Sequence, residues 1–130
     1  MDVFLDSSGA LALVDGKDDA HERARRCLVE LRDRRASVYT TNFVRTEAHA
    51  LIGSRVGWDF ARRWLADLDL PIETVRPVDE KAAIETILRQ SDKTYSLTDA
   101  TSFAVMARLQ TRHALTLDRH FRQAGFETFP

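Results

Sequence analysis

Residues 2–15 read DVFLDSSGALALVD, and the fold turns on how this stretch divides. Its first five residues form a short apolar strand that ends in an acid, Asp6. Ser7 or Ser8 then offers a hydroxyl cap to a helix running through Ala10 to Val14. Strand passes directly to helix, and the same succession recurs outward along the chain. Ala20, Ala24, Cys27, Leu28 and Leu31 fall at helical spacing, and residues 38–41 follow as a β-branched strand. Thr41 or Asn42 caps a third helix through Leu51 and Ile52, whose end Gly53 and Gly57 weaken. A fourth helix carries Trp58, Phe60, Ala61, Trp64, Leu65 and Leu68.

Pro71 and Pro77 bracket a third strand, IETV at 72–75, after which Asp79 opens a helix with Ala82, Ala83, Ile84, Ile87 and Leu88 on its apolar side. The polar stretch QSDKTYS at 90–96 is a loop. A last long helix runs from about Thr98 to Arg112, a strand at 114–117 leads to Asp118, and FETF at 126–129 closes the chain. Strands separated by helices imply right-handed crossovers, a mainly parallel sheet and a three-layer α/β/α sandwich. With no repeat, low-complexity segment or internal boundary, residues 1–130 read as one domain.

The totals agree with a folded enzyme-sized unit. Apolar residues make up 44% and charged residues 30% of 130, too apolar for a disordered chain. Acidic residues interrupt the N-terminal apolar stretch, so neither a secretory signal nor a membrane span can be built from it, and the cytoplasm is the expected location. Cys27, the single cysteine, sits among apolar helix positions and reads as a buried thiol, which leaves no disulfide framework or thiolate metal site. The net charge of −1 does not announce a nucleic-acid binder. Between Arg108 and Arg122, however, four arginines and two histidines face a single acid, a local surplus that attracts phosphate. The arginine-rich run from Arg23 to Arg35 is diluted by Glu22, Glu30 and Asp33 and reads as a solvated helix face.

In parallel sheets the functional crevice lies beyond the carboxyl ends of the strands. Asp6 and Asp118 each follow a strand there, although either could simply cap the next helix. Glu47 lies four residues after Phe43, three after Val44 and four before Leu51, which sets a carboxylate on or beside the apolar stripe of its own helix. Arg45 and His49, two residues away on either side, cannot face it, so a partner from elsewhere is required. Asp99 falls in the first turn of the last long helix, where it also suits the helix dipole. Four carboxylates in one crevice repel one another unless a cation neutralises them. With oxygen donors only, Mg²⁺, or Mn²⁺, is preferred over Zn²⁺. Such a site holds phosphate oxygens and acidifies a water that attacks in line. His21, His49 and His113 read as solvated or core residues, and His120, near Asp118, as a surface residue with some prospect of touching substrate.

Four blocks, VFLDSSGALALVD at 3–15, TNFVRTEAHALI at 41–52, YSLTDATSFAVM at 95–106 and LTLDRHFRQAGF at 115–126, resemble in order and spacing the PIN-domain proteins, and specifically the VapC toxins of bacterial toxin–antitoxin pairs. The resemblance covers essentially the whole chain. It implies a PIN-like fold and a Mg²⁺-dependent endoribonuclease whose catalytic and metal-binding acids are Asp6, Glu47, Asp99 and Asp118. It also implies an RNA substrate, a VapB-like antitoxin partner and a homodimer. Many relatives carry Thr where this chain has Ser7, and Ser8 matches their following serine, which orients water or caps the helix. Trp58, Phe60, Trp64 and Leu65 are expected either at the antitoxin or dimer surface or folded back into the core.

Four alternatives remain. A non-catalytic PIN-like module binding RNA or protein would share the fold, but all four acids are retained here. A housekeeping or DNA nuclease would share the acids. A phosphatase of the haloacid dehalogenase type needs DxD, where this chain has Ser8, and a response-regulator receiver needs an acid after the middle strand, where IETV runs into Arg76 and Pro77.

Overall fold

A computed structural model describes residues 1–130. Five strands, β1 (Asp2–Leu5), β2 (Ser37–Thr41), β3 (Ile72–Glu73), β4 (His113–Leu115) and β5 (Glu127–Phe129), form one sheet in the order β3-β2-β1-β4-β5. Every pairing is parallel. Between them run α1 (Ser7–Val14), α2 (His21–Asp33), α3 (Asn42–Arg55), α4 (Trp58–Asp67), α5 (Pro77–Arg89), α6 (Leu97–Arg108) and α7 (Arg119–Gln123).

The period of two along β1 builds the layers. Phe4 stands opposite Tyr39 and Ala114, and these three pack with Phe103 and Met106 of α6 and Phe121 of α7. Val3, Leu5 and Leu115 point the other way and pack with Ala10 of α1, Cys27 and Leu31 of α2 and Ala48 of α3. Each face of the sheet therefore has its own core, as the three-layer reading requires. Burying a side chain such as Phe4 or Val3 completely contributes about 1.5–3 kcal/mol. Cys27 is buried and unpaired, as expected, and burial pushes its thiol pKa up.

Several boundaries differ from expectation, each for a local reason. α1 is opened by Asp6 as N-cap residue, so Ser7 and Ser8 lie inside its first turn and their hydroxyls are free for other work. Thr41 caps α3, accepting from the Val44 N–H, while the Asn42 side chain accepts from the Val75 N–H. That bond draws Val75 away from the ladder, and β3 keeps only Ile72 and Glu73 of the expected IETV strand. α5 starts at Pro77, with Asp79 in its first turn accepting from the Arg76 N–H. Of its expected apolar side only Ala83 is buried, whereas Ile84 and Leu88 are 47% and 78% exposed, because α5 is an outer helix that packs mainly on α6. α6 stops at Arg108, four residues early: Gln110 adopts φ of 58°, and the Thr111 N–H reaches back to the Met106 carbonyl at 2.8 Å, a left-handed helix stop. β4 ends at Leu115: the Thr116 N–H still reaches the Phe129 carbonyl, but the Leu117 N–H turns to the Ser8 hydroxyl instead of a neighbouring strand.

The sheet order reverses at β1, with β2 on one side and β4 on the other. A crevice opens at such a switch point beyond the carboxyl ends of the strands. Asp6 follows β1 directly, and Asp118 follows β4 after a two-residue turn.

Candidate active site

The site begins with a glycine. Gly9 lies on the first turns of α1, so close to β4 that a Cβ there would stand 2.4 Å from the Leu115 carbonyl oxygen. Only the missing side chain lets α1 settle onto β4. The approach carries Ser8 to the end of that strand, where its Oγ accepts from the Leu117 N–H at 2.9 Å. Ser8 Oγ then donates to Asp6 Oδ2 at 2.8 Å, and Thr116 Oγ1 donates to the same oxygen at 2.9 Å. Although Asp6 stands at the N-cap of α1, its side chain makes no capping bond. Two hydroxyls fix one carboxylate oxygen and leave Oδ1 without a hydroxyl donor.

Ser7 donates in turn to Glu47 Oε1, joining the first turn of α1 to α3. This is the partner that the placement of Glu47 beside an apolar stripe required, and it is neutral. No arginine, lysine or histidine forms an ion pair with Glu47. Asp99 sits in the first turn of α6, where Ser96 Oγ accepts from its N–H and its Oδ2 accepts from the Ser96 N–H. Asp118 caps α7, accepting from the His120 N–H. Capping and site placement are thus combined in Asp99 and Asp118, whereas Asp6 is spared the cap altogether.

The electrostatics show that the acids share one crevice. Burial pushes the Asp6 carboxyl above its ordinary range against its hydroxyl donors, and the Glu47 charge pushes the same way. Burial raises Asp99 to about 6, with the charges of Asp118 and Asp6 adding to the rise. Asp6 therefore feels Glu47, and Asp99 feels both Asp6 and Asp118. No cationic lysine or arginine is paired with any of them.

Sequence reasoning placed His120 at the surface, and the structure moves it into the cluster. Its side chain is only 19% exposed. Nδ1 lies 2.9 Å from Asp118 Oδ1 and 3.5 Å from Asp99 Oδ2, yet this buried nitrogen makes no hydrogen bond. Nε2 meets Thr94 Oγ1 at 3.0 Å, and Tyr95 packs edge-on against the ring. One ligand atom from each of Asp99, Asp118 and His120 lies within 4.8 Å of the others. Asp6 and Glu47 stand outside that tight group. The signal that could have found His120 is its position two residues after a capping acid, where the first turn of α7 folds the ring back over the cap. Two carboxylates and an imidazole nitrogen gathered this closely fit a small divalent cation. Beside the expected oxygen donors the structure thus sets one imidazole.

Comparison with known proteins agrees with this fold. Residues 3–127 match the PIN domain, and the chain belongs to that family. It is 32% identical to the 23S rRNA-specific endonuclease VapC20 of Mycobacterium tuberculosis, over 95% of each chain, in strains CDC 1551 / Oshkosh and H37Rv alike. The crystal structure of that VapC20, described as a sarcin–ricin loop cleaving toxin, superposes with a TM-score of 0.87 at 31% identity, covering 98% of this chain and 99% of the other. A structure of VapBC2 from Rickettsia felis, bound to a DNA fragment from its promoter, shares the fold with a TM-score of 0.76 at 12% identity and full coverage of both chains.

Proposed function

We propose that this chain is a divalent-cation-dependent endoribonuclease acting as the toxin of a toxin–antitoxin pair. The observation that carries the reading is Asp6, buried, relieved of capping duty and held by two hydroxyls in a crevice it shares with Glu47, Asp99 and Asp118. A carboxylate built that way has no cationic partner in the chain, and leaving it charged and unpaired costs several kcal/mol.

Asp6, Asp99 and Asp118 are the residues to hold the cation, Mg²⁺ or Mn²⁺, with Glu47 completing the acid set and His120 Nδ1 at its margin. When bound, the cation supplies positive charge to phosphate oxygens and acidity to water at the reacting phosphorus. The chain's own contribution is orientation. Ser8 and Thr116 fix the rotamer of Asp6, Ser7 fixes Glu47, and the Ser96 pairing fixes Asp99 at the mouth of α6. Without the cation these charges repel phosphate, so cleavage is expected only in its presence.

The similarity to VapC20 makes a structured ribosomal RNA loop the first substrate to test, with a VapB-like antitoxin and a second copy of the chain as partners. The action is cytoplasmic, where its RNA lies; no helix is long and apolar enough to cross a membrane. The deciding experiment treats ribosomes, total RNA and duplex DNA with purified protein in Mg²⁺, in Mn²⁺ and in EDTA, and maps new 5′ ends. RNA cuts that vanish in EDTA and in Asp6→Asn are expected. Absence of any cut under every cation would return the chain to the binding-module reading, and equal cutting of DNA to the general nuclease.

A further inference from the structure

The basic run between Arg108 and Arg122 does not stay together in the fold. Arg108 leaves it, donating to both carboxylate oxygens of Asp79 and to Glu73, each at 2.9 Å. Arg119 and Arg122 turn instead to a cleft of about 190 Å³, where they meet Arg23 of α2. Arg23 comes from the other arginine-rich run, the one expected to be only a solvated face. None of these three guanidinium groups takes part in an ion pair with a side chain, and the only carboxylate side chain lining the cleft is that of Asp118, which accepts from the His120 N–H; Thr128 and Pro130 line it as well. The sole side-chain bond among the three is Arg122 Nη2 donating to Thr128 at 3.0 Å. A second shallow cleft beside it shares Arg23 and adds Arg26, with Glu30 as its one acidic side chain.

We propose that Arg23, Arg119 and Arg122 form a phosphate cleft that grips the RNA backbone next to the scissile phosphate. The inference rests on the endoribonuclease reading and deepens it. Thr116 and Asp118 line the cleft and also belong to the acid site, so a strand lying across the acids continues into the arginines. Three unpaired cations around one small cleft repel one another, and a phosphate relieves that repulsion. Guanidinium groups grip phosphate through paired N–H bonds in the plane of the fork, and such contacts set register without reading base sequence. A chain of net charge −1 thereby presents an anionic strand with a negative site for the cation and a positive one for the backbone, side by side.

The test is fluorescence anisotropy of a short labelled single-stranded oligoribonucleotide in EDTA, across a salt series, for the parent and for Arg23→Gln/Arg119→Gln/Arg122→Gln. Each phosphate contact contributes about 0.7 to the slope of log affinity against log salt, so the triple variant should lose about 2 from that slope. The loss should be the same for oligonucleotides of different sequence. Lysines at the same three positions should keep most of the slope, and Mn²⁺ affinity by calorimetry should stay at the parent value in both variants, which shows the fold and acid site intact. A glutamine variant with the parent's affinity and slope overturns the cleft while a cleaving parent leaves the nuclease reading standing. A parent that neither binds nor cuts RNA with any cation overturns both.

Discussion

Asp99 offers a measurement, needing no substrate, of what burial beside other acids does to a carboxyl in this site. Its carboxyl ordinarily titrates near 3.8 and is pushed in the fold to about 6, first by burial and then by Asp118 and Asp6. The folded chain thus binds this proton more tightly than the unfolded chain does. The resulting stabilisation is fully present below pH about 3.8 and is lost as pH rises through about 6. A difference of about 2 pKa units, at about 1.4 kcal/mol per unit, amounts to about 3 kcal/mol of lost stability at pH 8 in the metal-free protein. Asp99→Asn carries no charge and keeps an acceptor for the Ser96 N–H, so it escapes the loss. Urea unfolding in EDTA should find the variant and parent alike near pH 4 and the variant more stable by up to about 3 kcal/mol at pH 8. Asp79 titrates in the opposite sense: Arg108 holds its carboxyl low, and its contribution fades as pH falls, so only the difference between variant and parent isolates Asp99. Saturating Mg²⁺ or Mn²⁺ should close most of the gap by binding the parent alone. A difference that is flat from pH 4 to 8 in EDTA would refute the claim that the acids repel one another.

Arg108→Met should destabilise the chain by about 3 kcal/mol in urea, because Asp79, with its side chain only 3% exposed, loses both guanidinium bonds and stays buried. Asp79→Asn in the same background should recover part of that loss, and no recovery would mean that packing rather than charge is at stake. Gly9→Ala should cost about 1–3 kcal/mol and suppress RNA cleavage, since the new methyl strikes the Leu115 backbone and lifts Ser8 away from Asp6; a fully active variant would remove Gly9 from the site's foundation. Trp58, 58% exposed yet laid across Gly53 and near His49, should contribute to antitoxin or dimer contact. Trp58→Ala should then weaken one association by more than about 1 kcal/mol in sedimentation or titration, while Mn²⁺ affinity holds.

What the sequence revealed follows the range of the interactions involved. Every strand and every helix but the short α7 could be read from apolar periodicity and turn chemistry, and the crevice from the rule that sites follow parallel strands. Asp6 and Asp118 were visible for that reason, Glu47 because a carboxylate breaks an apolar stripe, and Asp99 because it opens a helix. The helix stop at Gln110 was missed because a left-handed residue other than glycine gives no compositional warning. The hydroxyl pair on Asp6 was hidden too, since Thr116 lies 110 residues away and its side chain joins Ser8 only through the register of β1 with β4. His120 escaped because nothing in a sequence says that a short helix will bend its first turn over the acid that caps it. The convergence of Arg23 with Arg119 and Arg122 was equally out of reach, as it joins two runs whose pairing only the fold decides.

The long separation between Asp6 and Thr116 has a consequence for synthesis. β1 lies at the centre of the sheet and is made well before its neighbour β4. Until β4 docks, Asp6 lacks Thr116, Ser8 lacks the Leu117 N–H, and Asp118 has no fixed position. A nascent chain therefore carries an unassembled site until β4 has been made and has docked, so the acids come into register only in the nearly complete fold.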